Sequence, residues 1–156
     1  MYLFGFKLGN EGFEVILDSL YISLQSLTLS QSSISKVRSD SLSRCQFLIY
    51  LNLSENDIEN DQYEIILKAL KAQIEALILE DCKITKVMPD LVIQCKRLRR
   101  LSFGGRFEYF NAELNNLIRI FDQLRVFLIP NADIVKRLSS KQMHVLTLYC
   151  WQRKNL

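Results

Sequence analysis

The sequence predicts an α/β fold: a curved sheet of about seven parallel strands lining a concave face, with amphipathic helices on the convex face. Three observations carry this. Apolar residues recur at offsets 0, 3, 5 and 10, as in "LIYLNLSENDI" from Leu48. The runs open at 24, 48, 74, 98 and 124, so their starts lie 24, 26, 24 and 26 residues apart. Between alternate runs lie segments with apolar residues at helical spacing, such as "YEIILKALKAQ" from Tyr63. One such turn cannot bury its own leucines, but stacked turns bury them for one another, so residues 1–156 are expected to form a single unit.

Taken in chain order, "MYLFGFKLGNE" from Met1 keeps only the first apolar positions and is the weakest early strand. "FEVILDSLYIS" from Phe13 reads as the first helix, and "LQSLTLSQSSI" from Leu24 as the next strand. The Leu48 strand, the Tyr63 helix and the strand in "IEALILEDCKI" from Ile74 follow. "LRRLSFGGRFE" from Leu98 leaves the pattern after Phe103. "LNNLIRIFDQ" from Leu114 is a third helical segment, "LRVFLIPNADI" from Leu124 a sixth strand and "MHVLTLYCWQR" from Met143 a partial seventh. In each full run the "LxL" leucines point inward and the residues between them face out, because side chains alternate across a strand. Parallel strands need a crossover rather than a hairpin, which the intervening segments supply. A longer period of 50 residues overlies the single one: "ISKV" at Ile34, "ITKV" at Ile84 and "IVKR" at Ile134 recur in step, as do Cys45 and Cys95.

The runs fit L-x-x-L-x-L-x-x-N/C-x-L, and on that pattern the chain resembles the leucine-rich repeat family. The Leu48 and Ile74 copies match at every position, with Asn56 and Cys82 in the N/C slot; Ser32 and Ala132 stand there in the Leu24 and Leu124 copies. A side chain in that slot is expected to satisfy backbone groups where the chain turns. The cysteine-bearing, helix-rich form resembles intracellular, ribonuclease-inhibitor-like members. The resemblance implies a non-catalytic protein-binding scaffold, cytoplasmic or nuclear.

Composition narrows the function classes. With 20 basic and 17 acidic residues the net charge is +3, too mild for the dense basic face that nucleic acid requires. No apolar run reaches the length of a membrane span, and the apolar start lacks the basic leader of a secretory signal. Cys45, Cys82, Cys95 and Cys150 show no C-x-x-C spacing, and the first three have packing explanations. His144 is the only histidine, six residues from Cys150, and no acid is placed to orient a nucleophilic pair. "FGGRF" from Phe103 lacks the lysine and hydroxyl residue of a phosphate loop. Neither an enzyme nor a cofactor is expected. "NLS" at Asn52 is a formal glycosylation sequon, but it falls inside a strand.

The concave face is where a repeat scaffold binds, and the positions between the leucines supply its chemistry. The candidates are Tyr50, Asn52 and Glu55; Glu75, Ile78 and Glu80; and Arg99, Arg100 and Arg125. Charge of both signs points to a protein partner rather than to phosphate. "FGGRFEYF" breaks the repeat and adds Phe107 and Tyr109 as candidates, since a departure from an otherwise consistent pattern marks function. The chain opens directly on a strand, so its N-terminal edge is expected to be covered by another chain or by a missing segment. The leading expectation is a scaffold that binds a protein partner. Alternatives are an architectural subunit of a larger assembly and a regulator, inhibitor or activator, of a partner enzyme.

Overall fold

In the computed structural model the chain is described at residues 1–103, 120 and 123–128. Strands β1 (Tyr2–Phe4), β2 (Ser26–Ser30), β3 (Tyr50–Asn52), β4 (Ala76–Leu79), β5 (Arg100–Phe103) and β6 (Val126–Leu128) form one sheet in sequence order. All five strand pairs are parallel. From β2 onward, each strand begins two residues after an apolar run opens. The reason is visible in the backbone. Just before each strand one carbonyl accepts two successive N–H groups from the next turn: Gln25 from Ile49 and Tyr50, Ile49 from Glu75 and Ala76, Glu75 from Arg99 and Arg100, and Arg99 from Arg125 and Val126.

The inward leucines build one core. Leu27, Leu29, Leu51, Leu53, Leu77, Leu79 and Leu101 are fully buried, together with Leu48, Ile74 and Leu98, which open the runs. Helix α1 (Gly9–Leu20) packs Phe13 and Leu17 into it, and α3 (Asn60–Leu70) packs Tyr63, Ile66, Leu67 and Leu70. The Tyr63 ring meets Phe103 of β5 edge-on at 5.2 Å, and its hydroxyl donates to the Val87 carbonyl at 2.8 Å. The described helices therefore lie on the leucine side of the sheet; on its other face Arg100 is exposed and Tyr50 and Asn52 are half-buried, while Thr28, Ile78 and Ser102 are buried.

The 50-residue period is written in hydrogen bonds. Asn10 Oδ1 accepts from the Ser35 and Lys36 N–H groups, and Asn60 Oδ1 from those of Thr85 and Lys86. Gln73 Nε2 donates to the Cys45 carbonyl, and Gln123 Nε2 to that of Cys95. Each pair closes one convex segment onto the next.

The expected seven-strand solenoid with a helix-lined convex face is corrected. The described residues form a six-stranded, all-parallel α/β sheet with few helices, and the strand expected from Met143 lies outside them. Among the described residues, two connections carry helices of more than two turns, and two hold α2 (Ser39–Arg44), of six residues, and α4 (Pro89–Val92), of four. A physical reason is legible at α4. Pro89 lacks the N–H that a longer helix would need at that point, and Met88 before it takes a left-handed conformation with φ of 55°. The "ISKV" and "ITKV" segments themselves form neither helix nor strand and are held by the side chains of Asn10 and Asn60.

Candidate functional site

The open sheet face is built from the alternate residues of each strand. Register aligns Ser26, Tyr50, Ala76, Arg100 and Val126 in one row, and Tyr2, Thr28, Asn52, Ile78 and Ser102 in the next. Beyond these, at the finishing ends of the strands, lie Glu55, Glu80 and Asp81. The starting ends of β5 and β6 carry Arg99, Arg100 and Arg125, all exposed. Among the described residues, then, basic side chains stand at the starts of β5 and β6 and acidic ones beyond the ends of β3 and β4, while β4 itself opens on Glu75.

The candidates separate by burial and by partner. Tyr50, Asn52, Glu75 and Glu80 are half-buried, and Glu55 is exposed. Ile78 faces the same side, but at 4% exposure it is walled in by its neighbours and offers a partner almost nothing; as a contact residue it is corrected. Phe107 and Tyr109 lie outside the described residues, as do His144 and Cys150. Glu75 is engaged by Arg97 at 2.5 Å. Arg99 directs its guanidinium to the carbonyls of Lys96 and Leu98 at 2.9 and 3.1 Å. Arg100 and Arg125 have no side-chain partner among the described residues.

A lateral polar relay crosses the face, which the sequence reading missed. Ser54 Oγ donates to Asn52 Oδ1 at 2.7 Å and accepts the Glu80 N–H at 3.2 Å. Ser102 Oγ then donates to the Glu80 carboxylate at 2.5 Å. Asn52 Oδ1 is also bonded by the Ser54 N–H at 2.9 Å. The available signal was the pair of small hydroxyl residues, Ser54 and Ser102, at outward positions between larger polar ones.

Below the relay, the turns share one conformation. Gln31, Glu55 and Asp81 all follow a strand with φ between 52° and 57°, and Gly5 holds the corresponding place at 71°. Gln31 Nε2 donates to the Glu55 carboxylate. A groove of about 440 Å³ opens here, lined by Gln31, Ser33, Glu55, Asp57, Asp81 and Lys83. Lys83 bonds Asp57 at 2.8 Å, and that bond holds its ammonium above the ordinary lysine range. Among the described residues, no group of three or more His, Cys, Asp or Glu is arranged to hold a metal ion. None of the described helices is long and apolar enough to cross a membrane.

The three described thiols face inward. Cys82 Sγ lies 3.3 Å from the Leu53 carbonyl, and burial pushes its pKa up to about 11. Burial likewise takes Cys95 to about 11 and raises Cys45. A thiol held protonated is a poor nucleophile.

Comparison with family models and with curated proteins finds no match. Among solved structures, the chain is similar to one described as "Leiomodin-1 Actin-Binding Site 2 (ABS2)". Identity is 13%, the TM-score is 0.61, and the likeness covers 92% of this chain and 94% of that one. At so low an identity the likeness speaks to fold alone. That description names an actin-binding site and no repeat family, so the leucine-rich repeat solenoid is not carried forward. What the chain shares with its structural neighbour is the architecture of an all-parallel α/β sheet.

Proposed function

We propose that this chain is a non-catalytic protein-binding module that recognises a protein partner through the open face of its sheet. The observation that carries this is the face itself: helices cover one side of the sheet, while the other presents Tyr50, Asn52, Glu55, Glu80, Arg99, Arg100 and Arg125 in mixed charge. Interfaces use such complementarity for specificity, and a sheet holds the residues in fixed register. The structural neighbour is itself described as an actin-binding site, which agrees with a binding role and assigns no partner to this chain. The test is affinity capture with the intact chain against Arg99→Glu/Arg100→Glu. Partner recovery should fall with the melting temperature unchanged, since both side chains are exposed. Undiminished recovery would take the basic corner out of the site.

A second reading, an architectural subunit of a larger assembly, is favoured by β1. This edge strand exposes Tyr2 at 71% and Phe4 at 51%, with Phe6 beside them at 58%. An apolar strand edge of this kind invites pairing with another chain. Light scattering across a concentration series, with Phe4→Lys as control, separates the two. Under the subunit reading, association depends on Phe4.

A further inference from the structure

We infer that the Arg99, Arg100 and Arg125 corner binds a short acidic segment of a protein, and that Glu80 makes the same corner reject uniform polyanions. The inference rests on the protein-binding reading of the sheet face and names the chemistry of its partner. Arg100 pairs in register with Val126, so Arg125 lies on the next strand, about 4.8 Å across, one residue toward the strand start. Glu75, Arg99 and Arg125 occupy equivalent places on successive turns, as the shared carbonyl pattern shows. Glu75 is taken by Arg97. What remains at this corner is exposed cationic charge, and Arg100 and Arg125 spend none of it on side chains among the described residues. Guanidinium groups on adjacent strands suit carboxylates, which they can hold through paired N–H donors.

A phosphate chain would suit them as well, and the difference lies two residues along β5. Ser102 follows Arg100 on the same face, roughly 7 Å away, and its hydroxyl anchors the Glu80 carboxylate. Ser54 Oγ, itself bonded to Asn52, accepts the Glu80 N–H and so fixes the backbone from which that carboxylate projects. Asp81 follows immediately. A ligand crossing this corner thus meets exposed positive charge and then a carboxylate held in place by Ser102. A segment with two carboxylates followed by neutral or basic residues satisfies both. A nucleic acid, negative at every step, is repelled by the second.

The test titrates the isotopically labelled full chain with two probes, observing backbone amides. One probe is the peptide Glu-Glu-Gly-Ser-Lys-Lys with blocked ends; the other is octathymidylate. The peptide should produce saturable shifts at Arg100 and Arg125. Arg100→Gln/Arg125→Gln should weaken it about ten-fold with an unchanged melt. Octathymidylate should bind more weakly than the peptide and gain on it several-fold in Glu80→Gln. Equal or tighter binding of octathymidylate to the unaltered chain overturns the inference, as does unchanged peptide affinity in the double variant or the lack of saturable peptide shifts. Failure of the parent reading looks different. There, a captured partner survives Arg99→Glu/Arg100→Glu while the peptide titration still responds to Arg100 and Arg125.

Discussion

Asn56 and Cys82 hold equivalent turns, and the difference between them measures what the slot does. Asn56 Oδ1 accepts the N–H groups of Ser32 and Ile34, both at 3.0 Å. Its Nδ2 donates to the carbonyls of Leu29, Leu53 and Ser54 at 2.7, 2.9 and 3.2 Å. One buried amide thus satisfies backbone from two turns. Each buried group left unpaired costs about 1–3 kcal/mol, so Asn56→Ala should lose at least about 2 kcal/mol in a urea titration. Asn56→Cys should lose less, because Cys82 still bonds the Leu53 carbonyl. A cysteine variant no better than alanine would mean that the slot acts through shape alone. Leu51, with no exposure, tests the inward set: Leu51→Ala should cost roughly 2–5 kcal/mol by leaving a cavity. The thiols add a pH dependence of definite sign. Burial takes Cys82 and Cys95 to about 11, above the ordinary thiol value of 9.0, so the folded chain holds protons that the unfolded chain releases. The resulting stability is fully present below pH 9.0 and is lost as pH rises toward and through 11. Melting curves should be flat near neutrality and fall on that alkaline limb, and the fall should shrink in Cys82→Ala/Cys95→Ala.

At the scale of elements, the turns after β2, β3 and β4 take left-handed backbone without glycine, at Gln31, Glu55 and Asp81. The conformation lets the Gln31 N–H reach the Ser54 carbonyl and the Glu55 N–H that of Glu80, which ties each turn to the next. A β-branched residue there meets the steric cost of that region, so Asp81→Val should destabilise by about 1–2 kcal/mol while Asp81→Gly should not. Equal melts for the two variants would place the strain elsewhere. The helices show where apolar spacing was and was not sufficient. Tyr63, Ile66, Leu67 and Leu70 recur at helical intervals, and α3 forms over them. After "ITKV", Met88, Leu91, Val92 and Cys95 recur at the same spacing, yet α4 is held to four residues, with Pro89 at its start and Met88 left-handed before it; after "ISKV" only the six-residue α2 forms.

Across the whole molecule, the main contacts join each strand to the next strand and each helix to the next helix. Cohesion is therefore local in sequence, and a strand is secured by the neighbours on both sides. Hydrogen exchange should be slowest in β3 and β4 and fastest in β1, whose outer edge is open; uniform protection would argue for a single all-or-none unit. Much of this was legible beforehand, because alternation fixes which side a residue faces. The leucines at 48, 51 and 53 had to be buried together, and Asn56 had to meet the backbone of the turn. The strand starts could be read to within two residues for the same reason. Other features depend on what a neighbouring turn places alongside. Ile78 is buried although alternation turns it away from the leucines, and Glu80 is fixed by a serine 22 residues later. The pairing of Arg97 with Glu75, which leaves Arg100 and Arg125 free of side-chain partners among the described residues, is set in the same way. Periodicity along one chain reports which face a side chain takes. Which groups meet on that face is a property of stacking, where residues some 24 to 26 positions apart become neighbours.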